Sequence, residues 1–264
     1  MEKRLASLTL SRRDRVVISS CIVLLAALAW AYLFHLDRQM SAAMEYDRKM
    51  ADMGMTMDVP WTAADVFFTF AMWTVMMVGM MTASAAPVVL LFAGMHRGRG
   101  GARWPLVVFV FGTGYLIVWT AFSAGAALAQ WGLHRAAMLS PAMATSSARL
   151  GGTILVAAGV YQLTSLKGAC LTHCRSPLGF LMSHWRDGAA GALRMGIAHG
   201  TYCLGCCWAL MCVLFVVGVM NLVWVAAMTI FVLVEKIGPG GAFVARVAGV
   251  AMMAAGMLVW AGRL

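Results

Sequence analysis

What most constrains this chain is the recurrence of long apolar runs broken only by short polar turns. Such runs occupy 16–36, 61–95, 104–131, 150–166, 189–220, 222–235 and 243–260. A bilayer core about 30 Å thick takes about 20 helical residues to cross. Within it every backbone N–H and C=O must bond inside the chain, which makes the helix the spanning element for runs of this length. Composition agrees, since 62% of the 264 residues are hydrophobic and 11% charged, against about 25% charged in a soluble domain. The expected fold is all-α, a polytopic α-helical membrane bundle of about seven transmembrane helices. The runs 150–166 and 222–235 are short, and six spans is the alternative.

Residues 1–15 then read as a basic cytoplasmic N-terminus, 16–36 as the first membrane helix, and 37–60 as a methionine-rich extracytoplasmic loop. Residues 61–264 read as a six-helix membrane bundle carrying a Cys/His site. A basic start before an apolar run also describes a secretory signal. This run is long for one, and no small-x-small cleavage pattern follows it, so a retained helix is expected. A net charge of +10 ordinarily suggests nucleic acid. Here the Lys and Arg residues sit in short segments between apolar runs, the distribution of topology signals, and no nucleic-acid partner is expected. Placing the N-terminus inside puts most of the 20 Lys and Arg residues on inner segments. The expected location is the bacterial inner (cytoplasmic) membrane, multi-pass, with the N-terminus cytoplasmic.

Inside the fifth run lies G-I-A-H-G-T-Y-C-L-G-C-C-W-A-L-M-C, residues 196–212. On a helix advancing about 100° per residue, His199, Cys203, Cys206 and Cys207 fall within an arc of about 100°. Met211 sits at the edge of that arc and Cys212 on the far side. Free cysteine is also a small hydrophobe common in cores, which accounts for one or two thiols better than for four beside a His. Thiolates and thioethers favour Cu(I), zinc or iron–sulfur groups over hard cations. The loop before this run repeats the theme in K-G-A-C-L-T-H-C-R-S-P, where Cys170, His173 and Cys174 have i, i+3, i+4 spacing. Two separated segments of this kind can close one metal site. Glycines 191, 196, 200 and 205 would let a neighbouring helix come close to the cysteine face.

Methionine supplies the second pattern. The phrase M-A-D-M-G-M-T-M-D carries Met53, Met55 and Met57, and Met40, Met44 and Met50 precede them. Thioethers do not titrate and survive where thiols are oxidised. In the second run Met72, Met76 and Met80 are spaced i, i+4, i+8, with Met77 and Met81 beside them. A methionine stripe is ordinarily adaptable packing; following a methionine-rich loop, it also reads as a secondary metal path leading inward. Asp65 shares the face of the stripe, as a functional carboxylate or a favourable charge at a helix N-terminus. Glu235 and Lys236 close the sixth run and read as an interfacial ion pair.

Three stretches, A-M-W-T-V-M-M-V-G-M-M-T-A-S-A-A-P (71–87), Y-Q-L-T-S-L-K-G-A-C-L-T-H-C-R-S-P (161–177) and G-T-Y-C-L-G-C-C-W-A-L-M (200–211), carry a resemblance. With G-V-M-N-L (218–222) and E-K (235–236) they resemble a bacterial family of multi-spanning, predicted metal-binding integral membrane proteins of unassigned function. The resemblance covers most of 65–260, leaves out the first span and the methionine loop, and implies metal binding. The expected function is copper handling, delivery or transport, with Cu(I) at His199, Cys203, Cys206, Cys207, Cys170, His173, Cys174 and Met211. Met53, Met55, Met57, Met72, Met76 and Met80 would form the secondary path. Zinc and haem stay open as cofactors. The expected partners are membrane lipid, the metal ion, and a metallochaperone or membrane-complex partner. The alternative is a membrane thiol–disulfide or metal/haem redox enzyme or subunit using Cys203–Cys207. Mid-helix thiols lack the helix N-terminus that activates redox pairs, so the expectation leans away from an enzyme.

Overall fold

The computed structural model describes residues 10–53, 61–98, 103–136, 138–139 and 144–262. Among these residues nine α-helices and no strand are present. They are α1 Arg12–Asp52, α2 Ala63–Gly98, α3 Trp104–Arg135, α4 Ala148–Gln162, α5 Ser165–Arg175, α6 Pro177–His184, α7 Gly188–Val217, α8 Leu222–Ile237 and α9 Gly241–Trp260. Five of them, α1, α2, α3, α7 and α9, are long and apolar enough to cross a membrane. The count becomes six if α4 and α5, which meet at 63°, are one broken span. Among the described residues this gives five such helices, or the lower expected count of six if that bent pair crosses as one span. Run 222–235 became a helix of 16 residues, rising about 24 Å, short of a bilayer core.

Local chemistry explains where the helices begin and end. At the start of α1, Ser11 Oγ accepts from the Asp14 N–H at 3.2 Å and donates to its carboxylate at 2.7 Å. Before α2, Asp65 accepts from the Thr62 N–H at 2.7 Å, and Thr62 Oγ1 accepts from the Asp65 N–H at 3.4 Å. This reciprocal capping box gives Asp65 a local role in an exposed first turn. Ser147, Thr164 and Asn221 cap α4, α5 and α8, each side chain accepting from a backbone N–H of the first turn.

The loop drawn at 37–60 is corrected in its first part. α1 runs on to Asp52, because no Gly or Pro interrupts 16–52 and good helix formers fill it, with a Glu45–Lys49 pair at 2.8 Å one turn apart. The C-x-x-H-C segment, expected as a loop, is the helix α5. It starts after a break at Leu163–Thr164, where Thr164 caps the new helix.

The core is built around α2, α3 and α7. Met72, Trp73, Met76, Met77, Met80 and Met81 of α2 are buried with Tyr115 and Trp119 of α3 and the α7 cysteines. Trp73 donates to Gln130 Oε1 at 2.7 Å, satisfying two buried polar groups at once. Glycine sets the α3–α7 distance. A Cβ on Gly196 would stand 2.0 Å from the Phe111 carbonyl oxygen, and one on Gly114 2.4 Å from that of Leu193. Close backbone approach of this kind is how small residues substitute for a hydrophobic driving force in lipid. Gly112 and Gly125, also on α3, face open space.

Candidate metal centre

The thiols of α7 project toward α2, α5 and α8. Cys203, Cys206 and Cys207 are all buried. One turn of helix holds them in place: Cys206 Sγ and Cys207 Sγ both donate to the Cys203 carbonyl oxygen, at 3.1 and 2.9 Å. From α5, Cys174 Sγ comes to 3.9 Å from Cys206 Sγ. Cys170, one turn earlier, lies against Gly205, where a Cβ would be 2.7 Å from its sulfur. From α2, Met81 Sδ lies 4.0 Å from Cys207 Sγ. Three helices thus bring sulfur to one buried region.

The other expected ligands take different places. His199 is buried, its ring 5.0 Å from that of Phe180 and 5.8 Å from that of Tyr115, and its Nδ1 has no hydrogen-bond partner. His173 turns away from Cys174, bonding the Ala169 carbonyl through Nδ1 at 2.9 Å and stacking on Tyr202 at 4.2 Å. Met211, Met72, Met76 and Met80 are buried in the core that holds the cysteines. Met53 is exposed; Met55 and Met57 lie outside the described residues.

The sequence reading missed three groups that touch this region. The Tyr115 hydroxyl donates to the Met81 carbonyl at 3.0 Å and stands 3.1 Å from Cys203 Sγ. Lys236 Nζ lies 2.8 Å from Cys203 Sγ, 3.3 Å from Ser84 Oγ and 4.0 Å from Cys207 Sγ. Met81 was seen beside the stripe but not as the thioether that reaches the thiols. The interfacial pair drawn between Glu235 and Lys236 is corrected as well. Both are buried, and adjacent residues on a helix diverge by about 100°. Lys236 faces the thiols, whereas Glu235 forms an ion pair with Lys167, which also donates to Gln162. Arg175 fastens the end of α8, donating to the carbonyls of Glu235 at 2.6 Å and Gly238 at 3.0 Å. A signal for Lys236 existed: a charge within an apolar helix marks a functional site with a specific partner.

The donors are of the kind a soft metal ion takes. With metal–sulfur bonds of about 2.3 Å, two sulfurs about 4 Å apart subtend about 120° at a bridging ion. The Cys174–Cys206 and Cys207–Met81 separations of 3.9 and 4.0 Å have that spacing. Among the described residues no three His, Cys, Asp or Glu side chains converge as ligands, so the arrangement is one of sulfur pairs. Soft donors at low coordination suit Cu(I).

Searches of curated proteins and of solved structures found no match to the chain. A family profile did match: PpoB2, described as copper chaperone, over residues 70–259. That range takes in Met81, Cys170, Cys174 and the α7 cysteines and leaves out α1 and Met53. Covering well over half of the sequence, the match shows that the chain belongs to the PpoB2 copper chaperone family.

Proposed function

We propose that this protein handles copper as Cu(I) within the bacterial inner membrane, N-terminus in the cytoplasm, holding the ion on buried sulfur for delivery to a partner. The supporting observation is the meeting of two sulfur systems at Met81 and Cys207, 4.0 Å apart. On one side lies the α2 methionine stripe, Met72, Met76 and Met80, as the path inward from Met53, Met55 and Met57. On the other lie Cys203, Cys206 and Cys207, with Cys170 and Cys174 on the broken span α4–α5. Neutral thioethers bind weakly enough to release an ion and thiolates tightly enough to retain it, which gives the path a direction of increasing affinity. Cys174 is the thiol placed for hand-off, because it rides on a short helix beyond a 63° break.

The test is metal content. Changing Cys203 and Cys207 together to Ser should abolish Cu(I) retention by the purified protein against a competing chelator. Cys21→Ser should leave it unchanged, since Cys21 is exposed on α1. Full retention by the double variant would overturn this assignment.

A further inference from the structure

Among the described residues the buried charged side chains are Lys167, Glu235 and Lys236. Lys167 and Glu235 neutralise each other. Lys236 remains, with two cysteine sulfurs and the Ser84 hydroxyl around its ammonium. A buried cation without a carboxylate is costly unless another negative charge completes the site. Its position, 2.8 Å from Cys203 Sγ and 4.0 Å from Cys207 Sγ, says where that charge arises.

We propose that Lys236 is the specificity-determining residue of the sulfur site, selecting monovalent over divalent soft cations by charge. Two thiolates carry −2. A monovalent ion held by the two charges leaves −1, which the ammonium cancels, so the filled site is neutral. A divalent ion between the same thiolates leaves nothing to cancel, and the filled site holds an uncompensated positive charge away from water. A third thiolate would restore neutrality for a divalent ion, but no three such ligands converge among the described residues. Charges about 4 Å apart at an effective dielectric of about 20 change an equilibrium by more than a hundredfold. Discrimination of that size is not available from ligand softness alone, since Cd(II) and Cu(I) both favour sulfur.

The proposal rests on the reading of Cys203 and Cys207 as ligands, and its test separates the two. Ag(I) serves as a monovalent probe that does not change oxidation state, Cd(II) as a soft divalent one. Both are titrated into the full-length protein in detergent against chelators, with the Cys203, Cys207 double serine variant as background. Lys236→Met should shift the ratio of the Ag(I) and Cd(II) dissociation constants about a hundredfold toward Cd(II). Lys236→Arg, which keeps the charge, should hold the ratio near the wild-type value. Ser84→Asp places a carboxylate beside an intact Lys236 and should shift the ratio in the same direction as Lys236→Met. It carries the test if Lys236→Met fails to fold. An unchanged ratio in a folded Lys236→Met or Ser84→Asp protein overturns the proposal while leaving the copper site standing. So does an arginine variant that behaves like the methionine one, since packing rather than charge would then be responsible. Failure of both ions to bind the wild-type cysteines would overturn the site and this inference together.

Discussion

Met81 and Leu have similar volume, and this separates what the residue does for packing from what its sulfur does. Met81 is fully buried, and its carbonyl accepts from Tyr115, a backbone bond that any side chain at this position preserves. Met81→Leu should therefore change stability by less than about 1.5 kcal/mol. Cu(I) affinity, measured by chelator competition, should fall, because only the thioether is lost; unchanged affinity would remove Met81 from the site. The Lys167–Glu235 pair behaves in the opposite way. Lys167→Met strands a buried carboxylate whose Oε2 already has no hydrogen-bond partner, and should cost about 3–5 kcal/mol. Adding Glu235→Leu removes the stranded charge and should recover most of that loss. Thermal unfolding in detergent checks both, and a double variant no better than the single would show that the pair is not the interaction lost.

At the scale of elements, the cysteine face depends on how closely α3 approaches α7. Gly196→Ala would drive a methyl into the Phe111 carbonyl, 2.0 Å away, with backbone on both sides and no flexible side chain to yield. It should destabilise by at least about 1–3 kcal/mol and weaken Cu(I) binding, since Cys203 lies two turns further along the same helix. Gly125→Ala on α3 meets nothing within 4 Å and should be neutral or gain up to about 1 kcal/mol from helix propensity. Equal effects of the two alanines in unfolding experiments would show that close approach at Gly196 is not what holds the pair together. The bent pair α4–α5 is the other element on which the site depends. A continuous helix would carry Cys170 and Cys174 past the cysteine wall, and the break at Leu163–Thr164 turns them onto it. Arg175 then ties this segment to the end of α8, the helix that presents Lys236.

For the whole molecule, the surface and the basic residues bear on insertion and orientation. Large apolar side chains such as Phe109, Val223 and Phe243 are more than 70% exposed, as lipid-facing positions are in a membrane bundle. At the other extreme Arg97 pairs with Asp14, tying the start of α1 to the end of α2, so these two helices run antiparallel. With the N-terminus inside, alkaline phosphatase fused at Met53 should be active, and fused in the 185–187 turn before α7 it should be inactive. Activity at both sites would show that α4–α5 does not cross as one span, and an inactive fusion at Met53 would reject the proposed orientation.

Much of this was legible locally. Run length and composition determined that the chain is a bundle of apolar helices. The turn chemistry of Thr62 with Asp65, and of Asn221, determined where two of them start. The clustering of Cys203, Cys206 and Cys207 was equally local, because one α-helical turn places i, i+3 and i+4 together whatever surrounds them. The continuation of α1 to Asp52 was also local, since the absence of Gly and Pro from 16–52 outweighs the polar composition of its second half. What only the tertiary structure decided is which side chains from other helices meet those thiols. Met81 does so, while His173 faces Tyr202 and His199 an aromatic cluster. Lys236 joins the thiols, while its neighbour Glu235 joins Lys167. The physical reason is that helices apolar on every side carry no amphipathic stripe to show which face turns inward. Their rotation is set by long-range packing, by the glycine contacts of α3 with α7 and by the Arg175 tie to α8, and those appear only when the helices are brought together.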